Sequence, residues 1–275
     1  MHRIKPILLS CFIALSLFTG QALAGSTIDR IQLSGELVLG TPGDFPPFTV
    51  TSAQGDLIGF DISFSRELAK SMGVNLRIVQ VPFARLIPEL KAGNVDIIMS
   101  GMSITPKRNM GIAFVGPYGN SGQTFVGRRE IVETLDEAID LNRDNLKIAV
   151  LKKTTADITA RAVLPKTNIV YTESLDEALI LLLKGEVDGL ISDFPYCKVA
   201  EFRYKDEGLM VYNKILTFEQ LGIGVSDRDY LFINLLQNYL NLLAGSGALS
   251  ALQDYWFKNS GWIKQLPDLT IFKDF

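Results

Sequence analysis

The first half of the chain alternates short apolar runs with amphipathic stretches. The apolar runs predict strands at Leu37–Gly40, Leu76–Val81 and Val95–Met99. The amphipathic stretches predict helices at Ile62–Met72, at Phe83–Lys91 and from Pro106. Strands that alternate with helices in this way are typical of βαβ units built around a parallel sheet.

A second series with the same alternation follows. It predicts strands at Leu146–Leu151, Ile169–Tyr171 and Val187–Ile191, and helices from Thr155 and at Leu175–Lys184. The segments "LIPELKAGNVDIIMSGM" and "ALILLLKGEVDGLISDF" both run from an amphipathic helix through Lys, Gly and Val-Asp into an apolar strand and a Ser-containing turn. This likeness is either an internal repeat or the general form of a helix-to-strand connection. Both interpretations predict two similar α/β lobes.

Two extended, glycine-bearing runs predict crossings between the lobes. They are "SGQTFVGR" (Ser121–Arg128) and "EQLGIGVS" (Glu219–Ser226), and predicted helices at Tyr230–Leu243 and Ala248–Phe257 then return to the first lobe. We therefore expect residues 25–122 and 224–275 in lobe 1 and residues 123–223 in lobe 2. Two crossings make a hinge beside a cleft, where small ligands bind as lobes close.

The amino terminus has the pattern of a secretory signal peptide. Arg3 and Lys5 precede an apolar stretch, and Ala22-Leu23-Ala24 forms a small-x-small cleavage signal, so we expect cleavage after Ala24 and a periplasmic location. A lipoprotein anchor at Cys11 is the alternative, but apolar residues continue beyond that cysteine.

Charge and composition restrict the function. The chain has 27 Lys plus Arg and 30 Asp plus Glu, and removing Arg3 and Lys5 with the acid-free leader leaves 25 against 30, a net charge of −5. This balance argues against nucleic acid as a partner. The single histidine is His2, so a mature chain has no Ser-His-Asp or Cys-His catalytic group, and Cys197 is expected to be a small buried apolar residue. We expect no metal and no cofactor.

The segment "MSGMSITPKR" places a cation at a predicted helix start. Thr105 fits an N-cap and Pro106 a first helical residue, so Arg108 falls in the first turn. That turn already carries a partial positive charge, which makes a bound anion a natural partner. Arg108, with amides near Ser100 and Ser103, could grip a carboxylate; a solvated surface arginine is the alternative.

Further candidates also follow predicted strands. Asp193 in "ISDFP" stands where α/β sheets bind ligands and could hold an ammonium group, or else cap the segment from Pro195. Phe45 in "GDFPPF" and Phe83 in "VPFARL" are apolar or cation–π walls, or core residues. The threonines in "KKTTAD", Thr154 and Thr155, either cap a helix or bind the same carboxylate as Arg108.

Together these motifs resemble the extracellular solute-binding proteins of family 3, the periplasmic amino-acid receptors of ABC importers. The resemblance rests on "GELVLGTPGDFPPF", "GDLIGFDISFSRELAKSMG", "LIPELKAGNVDIIMSGMSITPKR", "FVGPYGNSGQ", the "TT" pair, "VDGLISD" and "LQDYWF". It implies the type II periplasmic-binding-protein fold, an α/β architecture of two βαβ lobes joined by a two-strand hinge. It also implies a monomer that binds an amino acid-like ligand and delivers it to the permease subunits of an ABC transporter.

The resemblance also implies roles for individual residues. Arg108 would hold the ligand α-carboxylate with Ser103 and Thr155, and Asp193 would hold the α-amino group with the Ser100 carbonyl. Gly101 and Thr154 belong to the same ligand site, and Phe45 and Phe83 match the aromatic positions that sandwich the ligand side chain. Asp61 in "GFD" is expected to serve the helix that follows it.

Departures from the family pattern bear on the ligand. Pro42 stands where binders of cationic amino acids often have aspartate, and Lys153 replaces the usual glycine before the threonine pair. The site is therefore expected to have few acids and more cations, which favours a neutral polar or acidic amino acid. The roles of Arg85, Lys152 and Lys153 stay open, although solvation is the simplest role for Arg85.

Two other function classes remain. Cyclohexadienyl dehydratases resemble this family, but they carry a glutamate shortly after the aspartate of the second-lobe turn, whereas here the next acid after Asp193 is Glu201. The other alternative is a ligand-sensing module for a separate membrane partner.

Overall fold

The computed structural model describes residues 26–272. The predicted signal peptide and its cleavage site lie outside this range. Within it, no helix combines the length and the apolar character that a membrane crossing requires.

Secondary structure within residues 26–272 follows the predicted alternation. The strands β1 to β13 span Glu36–Thr41, Asp44–Phe45, Thr49–Thr51, Leu57–Ile58, Asn75–Gln80, Ile97–Ile98, Ala113–Ser121, Gln123–Arg128, Lys147–Leu151, Asn168–Thr172, Gly189–Asp193, Leu209–Val211 and Glu219–Val225. The helices α1 to α10 span Thr27–Ser34, Phe60–Ser71, Leu86–Lys91, Pro106–Asn109, Arg129–Val132, Thr155–Val163, Leu175–Lys184, Phe194–Arg203, Tyr230–Ser246 and Ala248–Gln253. Short 3-10 turns cover Phe83–Arg85, Ala138–Leu141, Gly261–Gln265 and Leu269–Phe272, and a π-helical turn covers Asp254–Lys258.

Local sequence explains where several helices begin and end. Ser174 accepts a hydrogen bond from the Glu177 N–H at the start of α7, and Gly185 adopts the left-handed conformation at its end. The helix predicted from Pro106 is confirmed at its start but ends at Asn109, after a single turn. The strand predicted at Val95–Met99 is reduced to the two residues of β6.

The first sheet has the strand order β5-β1-β6-β13-β7. β1 pairs in parallel with β5 and β6, and β13 pairs antiparallel with β6 and β7. Helix α2 covers this sheet with the buried side chains of Phe60, Ile62, Phe64 and Leu68. The parallel part of the sheet is therefore a βαβ unit, as the alternation predicts.

The second sheet repeats this plan. Its order is β10-β9-β11-β8-β12, with β9 parallel to β10 and β11, and β8 antiparallel to β11 and β12. The two similar sequence segments form α3–β6 and α7–β11, and β6 and β11 occupy the third position in their sheets. Their likeness in sequence thus corresponds to equivalent places in two similar lobes, which confirms the predicted fold class.

The chain crosses between the sheets at two neighbouring places. It leaves the first sheet after Ser121 and enters the second at Gln123, and it returns after residue 211 to begin β13 at Glu219. Glu219 pairs with Ser121, so the two crossings lie side by side. The expected boundary between residues 223 and 224 falls inside β13, all of which belongs to the first sheet because it pairs with β7 along its length.

Cys197 is fully buried with a free thiol, as expected.

Lys153, between β9 and α6, has an unusual backbone conformation. Its φ is 61°, and it is the one non-glycine residue in the described range with positive φ. The left-handed conformation crowds the Cβ of a lysine but suits glycine, the residue that the family pattern has there.

We expect Lys153→Gly to raise the free energy of unfolding by about 1 kcal/mol, because glycine removes the left-handed penalty and this gain exceeds its added unfolded-state entropy. Urea unfolding of the ligand-free protein measures the change. Lys152→Gly, at a neighbouring position without positive φ, should lower stability instead. A decrease in both variants would show that the conformation of Lys153 is not strained.

Candidate functional site

One cleft lies between the lobes at the carboxyl ends of the parallel strands of both sheets. Phe83 follows β5, Gly101 and Ser103 follow β6, Thr154 and Thr155 follow β9, and Asp193 ends β11. The side chains that line the cleft include eight of the nine residues expected for the ligand: Phe45, Phe83, Gly101, Ser103, Arg108, Thr154, Thr155 and Asp193. Ser100, the ninth, is fully buried next to Gly101.

The lobes touch each other across this cleft. The Phe45 and Tyr196 rings, one from each lobe, have centroids 5.9 Å apart. The hydroxyls of Ser103 and Thr155, also from opposite lobes, are 3.5 Å apart. The structure therefore shows the lobes closed on one another.

Arg108 is half-buried at the cleft and has no acidic partner. Thr105 caps its one-turn helix through the Arg108 N–H, as predicted. The Arg108 Nη1 donates to the Ser103 carbonyl at 2.8 Å, and its guanidinium lies 5.4 Å from the Phe83 ring centroid. None of the ion pairs within 4.0 Å in residues 26–272 involves Arg108. Most of its donors are thus available to an anion.

The one-turn length of α4 corrects the reason given for an anion there. Four residues align few peptide dipoles, so the partial positive charge of a long helix does not develop at this end. The anion-binding character of the segment comes instead from the guanidinium itself. Burial lowers the pKa of Arg108, whereas the negative charges of Glu219 and Asp193 act in the opposite direction.

Glu219, at the start of the returning strand, is a buried carboxylate that joins both lobes. One carboxylate oxygen accepts from the Thr155 hydroxyl at 2.8 Å and from the Ser103 hydroxyl. The other accepts from the Gln123 amide and the Thr217 hydroxyl, each at 3.0 Å. The sequence pattern predicts only a crossing strand for this segment and gives no sign that its first residue is a buried carboxylate.

The Glu219 contacts determine which atoms two of the expected ligand residues present to the cleft. Each hydroxyl has one hydrogen, and those of Ser103 and Thr155 both point to Glu219. Thr155 also accepts from the Gln123 amide at 3.1 Å. In this arrangement both hydroxyls therefore have lone pairs, but no hydrogen, for other partners.

Asp193 is buried beside this network. Its carboxylate accepts from the Ser121 hydroxyl at 2.6 Å and from the Gln123 amide at 3.3 Å. It is the N-cap residue of α8, but its side chain makes no capping hydrogen bond. Burial, followed by the nearby charge of Glu219, raises the pKa of Asp193 to about 7.

A second acid that sequence analysis missed, Asp44, also lines the cleft. One of its oxygens accepts from the Leu175 N–H at 2.8 Å, which links lobe 1 to the first residue of helix α7 in lobe 2. The other oxygen is buried without a hydrogen-bond partner. Burial raises the pKa of this carboxyl, and backbone N–H groups oppose the shift.

Gly101 brings the backbone of the lobe 1 turn close to the aromatic wall. Its φ is +59°, and a Cβ there would lie 2.6 Å from the Phe45 ring and 3.0 Å from the Phe48 ring. The turn is held by Asp61, which accepts from the Gly101 N–H at 2.8 Å. Asp61 thus serves the cleft turn as well as standing in the first turn of α2.

The cations next to the site in sequence do not line the cleft. Lys152 pairs with Glu173 at 2.5 Å and Arg85 with Glu89 at 2.6 Å, both on the surface. Lys153 is exposed on a neighbouring groove. The expectation of few acids and more cations is wrong for this cleft, whose charged lining residues are Arg108, Asp44 and Asp193. In residues 26–272, no group of three acidic, histidine or cysteine side chains could hold a metal ion.

Comparison with known proteins gives a consistent result. The model of "Bacterial extracellular solute-binding proteins, family 3" matches residues 37–259. The ABC transporter arginine-binding protein 1 of Escherichia coli K12 is 28% identical over 241 residues, which cover 86% of this chain and 96% of that protein. The histidine-binding periplasmic protein of Salmonella typhimurium LT2 is 31% identical over 184 residues, covering 66% and 69%.

Two solved structures are also similar to this chain in sequence and fold. The ancestral amino acid-binding protein AncCDT-1, described as a precursor of cyclohexadienyl dehydratase, is 33% identical with a TM-score of 0.77, covering 85% of this chain and all (100%) of that one. The arginine-bound form of a truncated ArgBP from T. maritima is 32% identical with a TM-score of 0.70, covering 78% and 99%.

We expect the free energy of unfolding of the ligand-free protein to fall between about pH 5 and about pH 8. Asp193 has a pKa of about 7 in the folded chain, against about 3.9 when unfolded, so the folded state retains a proton that the unfolded state has lost. This stabilisation is complete below about pH 4 and disappears as the pH rises through about 7. Asp61, whose pKa burial also raises to about 7, acts in the same direction.

Urea unfolding at a series of pH values measures this slope. Asp193→Asn should reduce it, because the variant has no proton to lose at this position. Asp206→Asn, a change at an exposed position, is the matched control and should leave it unchanged. An unaltered slope in Asp193→Asn would contradict the assignment.

Proposed function

The chain belongs to the bacterial extracellular solute-binding proteins of family 3, and from this premise we propose that its cleft binds one amino acid for delivery to an ABC importer. The observation that carries the proposal is the half-buried Arg108 guanidinium, which lines the cleft and has no acidic partner within 4.0 Å in residues 26–272. A guanidinium in this setting favours a planar anion that can accept two hydrogen bonds. An α-carboxylate has this shape and charge.

The α-carboxylate is proposed to bind Arg108, with Ser103 and Thr155 beside it. Both hydroxyls donate to Glu219 in this structure. A ligand carboxylate therefore competes with Glu219 for two hydrogens, or takes its hydrogen bonds from Arg108 and backbone N–H groups alone. In either case Glu219 limits how strongly the two hydroxyls can contribute to binding of the ligand carboxylate.

The α-ammonium group is proposed to bind Asp193 on the opposite lobe, with the Ser100 carbonyl on the first lobe. Asp193 must be ionised to form a charge-assisted hydrogen bond, and its raised pKa means that part of the population is protonated near neutrality. An ammonium group would lower this pKa and release a proton on binding. Because Arg108 and Asp193 belong to different lobes, closure of the hinge brings both ends of the amino acid into contact.

The ligand class is proposed to be an amino acid with a positively charged side chain. Two relatives are named for arginine and histidine binding. The cleft supports the same class, because Asp44, Asp193 and the adjoining Glu219 outnumber the one arginine. The earlier expectation of a neutral polar or acidic ligand finds no support among these relatives and is weakened by the acids of the cleft.

The remaining parts of the function follow from the family. Its members act outside the cytoplasm, and the relatives that match over most of their length are named as transporter or periplasmic binding proteins. We propose export through the signal peptide, cleavage after Ala24, a monomeric state and contact with permease subunits.

A dehydratase-type enzyme is the less favoured function. It would need a general acid in the cleft soon after Asp193, but Glu201 lines another groove and its carboxylate pairs with Lys198 and accepts from the Val211 N–H at 2.9 Å. The relatives are named as binding proteins. We therefore assign the cleft to binding.

Arg108→Ala should weaken amino-acid binding by at least about 100-fold, since deletion of one partner of a buried charge pair costs several kcal/mol. Titration calorimetry with the amino acids that raise the melting temperature of the wild type measures the loss. Arg85→Ala, at a surface arginine paired with Glu89, is the matched control and should bind normally. Equal affinity for wild type and Arg108→Ala would place the ligand elsewhere.

The α-keto analogue of the best amino acid should bind at least about 10-fold more weakly than the amino acid itself, because it offers Asp193 no ammonium group. Competition calorimetry compares the two. In Asp193→Ala the difference between them should shrink. Equal affinities in the wild type would remove Asp193 from the ligand site.

A further inference from the structure

Asp44 both lines the cleft and contacts the opposite lobe. It follows β1 in lobe 1, lines the cleft, and one of its carboxylate oxygens accepts from the Leu175 N–H of lobe 2. The second oxygen is buried and has no hydrogen-bond partner. We propose that this second oxygen binds the positively charged side-chain group of the ligand, so that Asp44 couples recognition of that charge to closure of the lobes. The inference rests on the proposed amino-acid-binding function.

The unpartnered oxygen is the observation that points to a ligand. A buried carboxylate oxygen without a donor is unfavourable, and native proteins rarely leave one unless it has a function. Burial raises the pKa of Asp44, which expresses the same cost to its charged form. An ammonium or guanidinium group in the cleft would be a hydrogen-bond donor of opposite charge to this carboxylate.

The surroundings of Asp44 suit the hydrocarbon part of such a side chain. Phe45 and Leu175 line the same cleft beside it, and Phe83 forms a further apolar side. Phe83 also faces Arg108, which is proposed to hold the opposite end of the ligand. Since Arg108 and Asp44 line the same cleft, we expect an extended ligand to place its carboxylate at Arg108 and its distal charge at Asp44.

The hydrogen bond from the Leu175 N–H makes the environment of the Asp44 carboxylate depend on closure of the lobes. When the lobes separate, Asp44 loses the Leu175 N–H and regains water, so an open cleft has no unpartnered carboxylate. When they close without a cation, one oxygen gains the N–H while the other loses its solvent. A ligand cation supplies the missing partner, so it favours the closed form more than a neutral ligand does.

Arginine and its uncharged isostere citrulline provide the test, since they differ mainly in side-chain charge. Calorimetry should give the wild type at least 10-fold higher affinity for arginine. Asp44→Asn retains an acceptor for the Leu175 N–H but loses the charge, and it should reduce arginine affinity at least 10-fold while changing citrulline affinity less than 3-fold. Asp44→Ala should also reduce the closure on arginine addition that small-angle X-ray scattering reports.

Asp176→Asn is the matched control. Asp176 is close enough to Asp44 for their charges to interact, but it lies on the lobe 2 side and does not line the cleft. Its removal should change the arginine-to-citrulline ratio less than 3-fold. A change as large as that of Asp44→Asn would mean that the ligand responds to the general negative field and has no direct contact with Asp44.

The outcomes separate this inference from the proposed function. Equal losses of arginine and citrulline affinity in Asp44→Asn, or no loss of either, would overturn the side-chain contact, and so would a wild type without preference for arginine. If Arg108→Ala still abolished binding in those cases, the amino-acid receptor would stand. A wild type that binds no amino acid would remove the proposed function itself.

Discussion

The buried carboxylate of Glu219 holds the two lobes together at the point where the chain returns to the first sheet. It accepts hydrogen bonds from Ser103 on one lobe and from Thr155 on the other, so it decides which atoms these hydroxyls turn to the cleft. Its charge also raises the pKa of Asp193 and favours the charged form of Arg108. The hinge and both groups proposed for the ends of the ligand therefore depend on one negative charge.

Acids in this quantity are costly in a closed cleft. A buried carboxylate needs donors or a cation. Within residues 26–272, Arg108 is the one cation that lines the cleft, and the charges that act on it are those of Glu219 and Asp193. A zwitterionic ligand adds no net charge and leaves this imbalance unchanged. An amino acid with a cationic side chain reduces it, so the charges of the cleft support the proposed ligand class.

The fold could be predicted from the sequence because its signals are local. Alternating apolar and amphipathic runs, glycine after helices and the position of a strand end are all readable within about ten residues. Arg108 and Asp193 could be predicted to lie at the cleft in this way, because Arg108 stands in the capped turn after β6 and Asp193 ends β11. Lys153 led to the wrong expectation of more cations in the cleft. Its position beside the threonine pair in the sequence does not show where its side chain points.

The residues that sequence analysis missed depend on distant contacts. Glu219 lies 64 positions from Thr155 and 116 from Ser103, and its strand pattern gives no sign of a polar network. Asp44 stands in a turn whose aromatic and proline residues dominate the pattern, and its partner, Leu175, is 131 positions away. Such contacts exist only once two lobes are folded and closed, so they cannot be read from spacing along the chain.

Glu219 and Asp44 make two parts of the cleft respond differently to closure. Both accept hydrogen bonds from lobe 2, but Glu219 has donors on both oxygens, whereas Asp44 has a donor on one. The Glu219 carboxylate is therefore fully hydrogen-bonded within the protein. Among the charged side chains that line the cleft, Arg108 and Asp44 keep hydrogen-bonding groups that have no partner within residues 26–272, and these two side chains have opposite charge. A ligand that carries both a carboxylate and a cation satisfies both, and closure then depends on the chemistry of its two ends.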